Sequence, residues 1–208
     1  MTERRSYYGE IIRLGLPIMV GQLGMIVTGF ADNIMVGHYS TDALASASFV
    51  NGVYNVVIFC CLGFTYGLTP LVGALFGRGE RYEIGRLMRN GLVLNVLYSL
   101  LLTILLGGLY FYLDRLGQPE HLLPLIRPYY LTALAGLLPV CLFNVFAQWS
   151  YGCTDTRSPM WIILACNLLN IFGNYLLIFG HWGVPEMGLT GAGISTLVSR
   201  VVIYGAII

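Results

Sequence analysis

Six long apolar runs with almost no charge constrain this fold more than any other feature of the sequence. Charged residues make up 10% of the 208 positions, whereas a soluble domain carries about 25%. So few charges cannot cover a hydrophobic content of 57%, so we expect lipid to be the solvent. Each run is long enough to cross a bilayer as a helix, and the runs are about 12–36, 44–72, 90–113, 128–150, 160–180 and 189–208.

The arginines between these runs predict the orientation of the chain. Eight of the eleven lie in the N-terminal tail, the second joint and the fourth joint, while Arg115 and Arg127 lie in or beside the third joint. The positive-inside rule therefore favours a cytoplasmic N-terminus. We predict an all-α polytopic membrane protein in which residues 1–208 form a bundle of six transmembrane helices. The last run stops at Ile208 without a polar end, so we expect the chain to be part of a longer polypeptide.

Several classes of function find no support in the sequence. A net charge of +1 gives no basic surface for nucleic acid. The histidines and cysteines have no metal-ligand spacing, and we find no nucleophile–base pair and no phosphate-binding loop. We therefore predict that the chain is not an enzyme and needs no cofactor.

Small and polar residues form one stripe along the first apolar run. At about 100° per residue, the stripe covers roughly 80° of the helix surface, and it consists of Pro17, Gly21, Gly24, Thr28 and Asp32. Small residues let a neighbouring helix approach closely, so Asp32 is expected to face the bundle interior. Pro17 removes a backbone hydrogen bond, which makes it a candidate for bending the helix.

Asparagines share one face of the fifth run, and a hydroxyl lies at a matching depth in the sixth. The asparagines are Asn167, Asn170 and Asn174, and the hydroxyl belongs to Thr196. Asp32, Asn174 and Thr196 each lie roughly 7–10 Å below the outer ends of their runs. We therefore expect these groups, with Asn170 one turn deeper, to meet in the outer half of the membrane. For Asn167 we favour an interhelical hydrogen bond.

A carboxylate in lipid requires a physical reason, because its insertion costs at least about 2.5–3.5 kcal/mol. It is tolerated when it is protonated, paired or bound to a cation. Carboxylate, amide and hydroxyl oxygens suit a hard cation such as Na⁺, and poor hydration favours the protonated carboxyl group. We therefore predict an ion-coupling site for Na⁺ or H⁺ at Asp32, Asn170, Asn174 and Thr196. The alternative is that Asp32 merely caps the first helix near the headgroups.

Other polar residues within the runs are open to two interpretations. Asn51 and Asn55 share one helix face, as do Asn144 and Gln148, and either a cavity or hydrogen bonds within the bundle would explain them. Arg200 is the other charge within a run. We expect its long side chain to extend toward the cytoplasmic face of the membrane.

Four stretches of the sequence, in this order and spacing, resemble the multidrug and toxic compound extrusion (MATE) transporters. They are LPIMVGQLGMIVTGFADNIMVGHYSTDALASAS, GFTYGLTPLVGALFGRGE, QWSYGCTDTRSPM and NLLNIFGNYLLIFGHWGVPEMGLTGAGISTLVSR. The resemblance implies a transporter of two six-helix lobes, of which this chain matches the N-terminal lobe and lacks the C-terminal lobe. It also implies export of drugs or cationic amphipathic molecules across the inner membrane, by alternating access driven by Na⁺ or H⁺.

The resemblance also assigns roles to individual residues. Asp32 matches the acidic residue of the family's N-lobe cation site, and Thr196 matches its threonine. Asn170 and Asn174 match an amide and, in some members, a second acid, so this chain departs from the two-carboxylate form of the site. Pro17 matches the proline of the first helix, whose bend some models connect with the coupling cycle.

Two rival interpretations remain open. The first is a lipid-linked oligosaccharide flippase of the same superfamily, for which we would expect a basic central cavity. The second is a non-transporting membrane fragment or assembly partner.

Overall fold

Eight α-helices account for most of the chain. A computed structural model describes residues 2–207, with side chains from residue 8 onward. Within that range there is no β-strand, and two short 3₁₀ turns, Leu113–Arg115 and Glu120–Leu122, lie between the fourth and fifth helices. The helices are α1 Thr2–Tyr39, α2 Thr41–Tyr66, α3 Leu68–Gly77, α4 Arg81–Tyr110, α5 Leu123–Ala135, α6 Leu137–Gly152, α7 Arg157–Phe179 and α8 Gly188–Ile207.

The described residues contain six helical stretches that are long and apolar enough to cross a membrane. They are Tyr8–Tyr39, Thr41–Gly77, Arg81–Tyr110, Glu120–Gly152, Arg157–Phe179 and Gly188–Ile207. This confirms the prediction of an all-α, multi-pass bundle of six spans.

Two of the six spans are interrupted, which the apolar runs do not predict. The second breaks at Gly67, between α2 and α3, and the fourth breaks at Gly136, between α5 and α6. A proline follows three residues after each glycine, at Pro70 and Pro139. Because the proline ring collides with the carbonyl four residues earlier, the preceding helix ends at that residue. The sequence stretches that indicate these two helix breaks are GLTP, residues 67–70, and GLLP, residues 136–139.

The joint between the second and third spans is shorter than we expected. Only residues 78–80 lie outside helices, and the arginines from Arg81 onward belong to α4. A charged helix start is stable where it faces water, and Arg86 donates to Glu83 at 3.1 Å on the exposed surface.

At the other arginine-bearing joint, Asp155 accepts the backbone N–H of Ser158 at 3.1 Å. Hydrogen bonds from Ser158 hold the pKa of Asp155 below its ordinary value.

The helices pack so that α7 and α8 form the centre of one wall of the bundle. Helix α1 lies along α7, α7 lies along α8, and α8 also contacts α5 and α6. On the other side, α6 packs on α3 and α4, while α2 packs on α5. Helices α7 and α8 approach closely at Gly191, where a Cβ atom would lie 2.5 Å from the backbone oxygen of Leu177.

The α7–α8 contact predicts a specific loss of stability. Gly191→Ala must push α8 away from the backbone of α7, and such overpacking costs about 1–3 kcal/mol. We expect the apparent melting temperature of the protein in detergent, followed by tryptophan fluorescence, to fall by about 5 °C. Gly205→Ala is the matched control on the same helix, because nothing lies within 4 Å of its added Cβ. Equal melting temperatures for the two variants would contradict this packing.

Candidate ion and substrate site

A cavity of about 660 Å³ lies between α1, α2, α6, α7 and α8. Its volume falls within the range of sites for small organic molecules, about 300–1,000 Å³. The wall combines apolar side chains, such as Phe143 and Ile203, with amides, hydroxyls and two charged residues. Among the described residues that line it, the charged ones are Asp32 and Arg200.

A short hydrogen bond joins α1 to α7 at one wall of this cavity. Nδ2 of Asn174 donates to Oδ1 of Asp32 at 2.5 Å. Asp32 is half-buried and lines the cavity, whereas Asn174 is fully buried behind it. Helix α1 continues past Asp32 to Tyr39, so the alternative that Asp32 merely caps the helix end is wrong.

Further polar contacts extend this bond to α8. Nδ2 of Asn174 lies 3.5 Å from Oδ1 of Asn170, and Nδ2 of Asn170 donates to Oγ1 of Thr196 at 3.3 Å. The hydroxyl of Ser195, the residue before Thr196 on α8, donates to the backbone oxygen of Asn170 at 2.9 Å. The structure therefore brings together all four residues that the sequence suggested for ion coupling, in a polar chain across three helices.

The Asn174 amide has one orientation in the structure, and turning it over would change the group that Asp32 meets. In the structure its N–H group faces the carboxylate of Asp32. Its Oδ1 atom is buried and has no partner among the described residues. Rotating the amide by 180° would present that oxygen to Asp32. Two oxygens at this separation need a proton or a cation between them. The donor set is thus chemically suited to a carboxylate that gains and loses a small positive ion.

The stripe on α1 provides the close approach that this bond requires. Pro17 and Gly21 are buried, and Gly21 and Gly24 lie against Ile163 and Leu164 of α7. Pro17 lies inside an uninterrupted α1, unlike the prolines that follow the two glycine breaks.

The four other amides considered from the sequence all line the cavity, and these are Asn51, Asn55, Asn144 and Gln148. Some of them also form hydrogen bonds within the bundle. Asn51 accepts the hydroxyl of Tyr129 at 3.3 Å, and Oε1 of Gln148 accepts the hydroxyl of Thr69 at 2.5 Å. Asn144 donates to the backbone oxygen of Val140 on its own helix. The two interpretations that the sequence left open are therefore compatible with each other.

Two interpretations from the sequence are wrong. Asn167 makes no interhelical hydrogen bond, since its buried Nδ2 has no partner among the described residues. Arg200 does not extend toward the cytoplasmic end of α8, because its guanidinium carbon lies 4.5 Å from the ring centroid of Tyr54 on α2. Tyr54 offered a signal that we missed. It lies about 20 Å into its span, far from the membrane interfaces where tyrosine usually concentrates.

Comparisons with known proteins identify the family of this chain. The MatE family profile matches residues 17–176. The chain is 29% identical over 195 residues to a probable multidrug resistance protein NorM of Synechocystis sp., which covers 94% of this chain and 42% of the relative. It is 35% identical over 190 residues to a probable NorM of Bradyrhizobium diazoefficiens, covering 90% and 40% respectively.

A solved structure has the same fold. The outward-facing conformation of a multidrug resistance MATE family transporter of the MOP superfamily superimposes with a TM-score of 0.86 at 23% identity. That match covers 95% of this chain and 43% of the other. The chain spans about two fifths of the length of the curated relatives that it matches. It belongs to the MatE family, whose members are transporters and not enzymes.

Proposed function

We propose that this chain is the N-terminal half of a cation-coupled antiporter. The antiporter exports drug-like or amphipathic cationic molecules across the inner membrane by alternating access, in exchange for Na⁺ or H⁺. Membership of the MatE family supports efflux. One observation supports the coupling role, namely the polar chain from Asp32 through Asn174 and Asn170 to Thr196 at the cavity wall.

Ion binding at Asp32 would change how three helices are held together. With the carboxylate ionised, the Asn174 amide donates to it and ties α1 to α7. With a proton or Na⁺ on the carboxylate, the amide of Asn174 would turn its oxygen toward Asp32 instead. The neighbouring contacts of Asn170 and Thr196 would rearrange when the amide turns. An ion shifts a conformational equilibrium only by its difference in affinity between the two states. The two amide orientations provide such a difference.

Antiport follows if the coupling ion and the substrate compete. Asp32 lies on the cavity wall, so a cationic substrate in the cavity and a cation on the carboxylate neutralise the same charge. Each would then favour release of the other. The cavity lies open in this chain, and we propose that a second six-helix lobe closes it.

The arginines support a cytoplasmic N-terminus for the described helices. Successive spans cross the membrane in opposite directions, so Arg13, Arg78 and Arg157 lie on the same side of it. The arginines at the start of α4 lie on that side as well. The flippase alternative is less favoured, because the described cavity wall carries one arginine and not a basic lining.

The coupling role predicts the effect of Asp32→Asn in the complete product of the gene that encodes this chain. The substitution preserves shape but removes the exchangeable charge, so drug resistance conferred on an exporter-deficient host should be abolished. Membrane insertion, followed by immunoblotting of membranes, should remain normal. Asp42→Asn is the matched control, because Asp42 is exposed at the start of α2, and it should leave resistance intact.

Undiminished resistance in Asp32→Asn would refute the coupling role. Equal loss in Asp42→Asn would show a general effect of removing charge.

A second prediction from the coupling role concerns Asn174→Asp, which places a second carboxylate within hydrogen-bond reach of the first. Two carboxylates at this separation cannot both ionise, so they share a proton to higher pH. We expect the pH midpoint of efflux from vesicles to rise by about one unit or more. The assay should vary Na⁺ and pH independently, with Asn55→Asp on the cavity wall as the control. A midpoint that does not move would exclude protonation of this pair from the coupling step.

A further inference from the structure

A guanidinium group lies in the middle of the bundle, and no described acidic side chain forms an ion pair in direct contact with it. Arg200 is on α8, about 18 Å along the helix axis from its start at Gly188. The hydrocarbon core of a bilayer is about 30 Å thick. The charge of Arg200 is therefore far from either membrane surface. Arg200 takes part in none of the ion pairs between described side chains. Those pairs are Arg78–Glu80, Arg86–Glu83 and Arg127–Asp114.

Arg200 contacts the ring of Tyr54 and leaves most of its N–H donors without a partner in the bundle. The guanidinium carbon lies over the Tyr54 ring at 4.5 Å, and Tyr54 is only 6% exposed. Such stacking is a cation–π interaction and engages no N–H group. A guanidinium has five N–H donors, and a contact with the hydroxyl of Tyr54 engages at most a small part of them. Arg200 is half-buried at the cavity wall, so the remaining donors can take acceptors only from the cavity.

The position of the guanidinium is fixed from a second side. Gly136, at the break between α5 and α6, has no side chain, and a Cβ atom there would lie 2.8 Å from Nη1 of Arg200. The group is therefore held between Tyr54 and the backbone at Gly136. It still lines the cavity, so its remaining donors are accessible from there. A fixed, planar fork of donors at the wall of a cavity is suited to bidentate binding of a carboxylate.

We propose that Arg200, stacked on Tyr54, binds the carboxylate of a zwitterionic amphipathic substrate whose apolar body occupies the cavity. This rests on the proposed function in one respect, namely that the cavity is the substrate site. The apolar side chains of Phe143, Ile163 and Ile203 line the remaining wall. Asp32, the other charged residue of the cavity, is available to the cationic group of the same molecule.

The depth of Arg200 favours a soluble carboxylate over the phosphate of a lipid. Both oxyanions suit a guanidinium fork. A headgroup phosphate, however, lies outside the hydrocarbon core, about 15 Å from the bilayer centre. A lipid would have to leave the interface to reach the guanidinium. A small zwitterion bound in the cavity requires no such displacement.

The test compares two dyes that differ only at the proposed point of contact. Tetramethylrhodamine carries a carboxylate and a cationic ring system, and its methyl ester keeps the cation but lacks the carboxylate. Binding to the complete gene product in phosphatidylcholine nanodiscs is measured by fluorescence anisotropy, with empty nanodiscs as background. We expect the acid to bind about tenfold more tightly than the ester. Arg200→Gln should remove this preference, and Arg200→Lys should keep part of it.

Two further variants separate binding from folding. Arg157→Gln removes an exposed arginine at the start of α7 and should retain the full preference for the acid. Tyr54→Phe keeps the ring and should also retain it, whereas Tyr54→Leu removes the stacking surface and should weaken binding of the acid alone. Normal ester binding by Arg200→Gln would show that this variant is folded.

Each remaining outcome contradicts a distinct statement. Equal affinity of both dyes in the wild type and in Arg200→Gln would overturn the carboxylate site while leaving the cavity as a substrate site. Failure of both dyes to bind would contradict the proposed function as well. Competition by phosphatidylglycerol that disappears in Arg200→Gln would assign the guanidinium to a lipid phosphate instead.

Discussion

The hydrogen bond from Asn174 to Asp32 is the interaction on which the proposed mechanism depends. A carboxylate within a bilayer is stable only when something compensates its charge, and here a buried amide on another helix does so. The small residues of α1 allow that amide to come close, because Gly21 and Gly24 let α1 lie directly on α7. Packing and polarity are therefore linked, since a larger residue on the stripe would separate the carboxylate from its donor.

The span count and the polar cluster were predictable from the sequence because both depend on local spacing. Apolar length fixes the number of spans, and helical periodicity puts Asn170 and Asn174 on one face. The matching depth of Asp32 and Thr196 then follows from the rise per residue. Tertiary contact was not needed to reach these conclusions. The breaks at Gly67 and Gly136 were missed because hydropathy does not register where a proline ends a helix.

Arg200 and Asn167 were misinterpreted because their surroundings come from other helices. An arginine in an isolated span lowers its energy by extending to the nearest interface, which is what the sequence suggested. Arg200 instead finds an aromatic ring on α2, a partner that no spacing within α8 can reveal. Asn167 lies one turn from Asn170 on the same face, yet its amide nitrogen meets no acceptor among the described residues. A helical pattern identifies the side that faces the bundle, but the partner there depends on the tertiary fold.

Helix α8 connects the two charged parts of the cavity. Thr196 and Arg200 are four residues apart, so they lie on the same face of α8, one turn from each other. The hydroxyl of Thr196 accepts a hydrogen bond from Asn170, at the far end of the row of polar contacts that starts at Asp32. Arg200 is held between α2 and the break at Gly136. A shift of α8 that follows rearrangement of the Asp32 contacts would therefore move the guanidinium relative to Tyr54. Because one turn of helix carries both contacts, the proposed ion site and the proposed substrate site would influence each other.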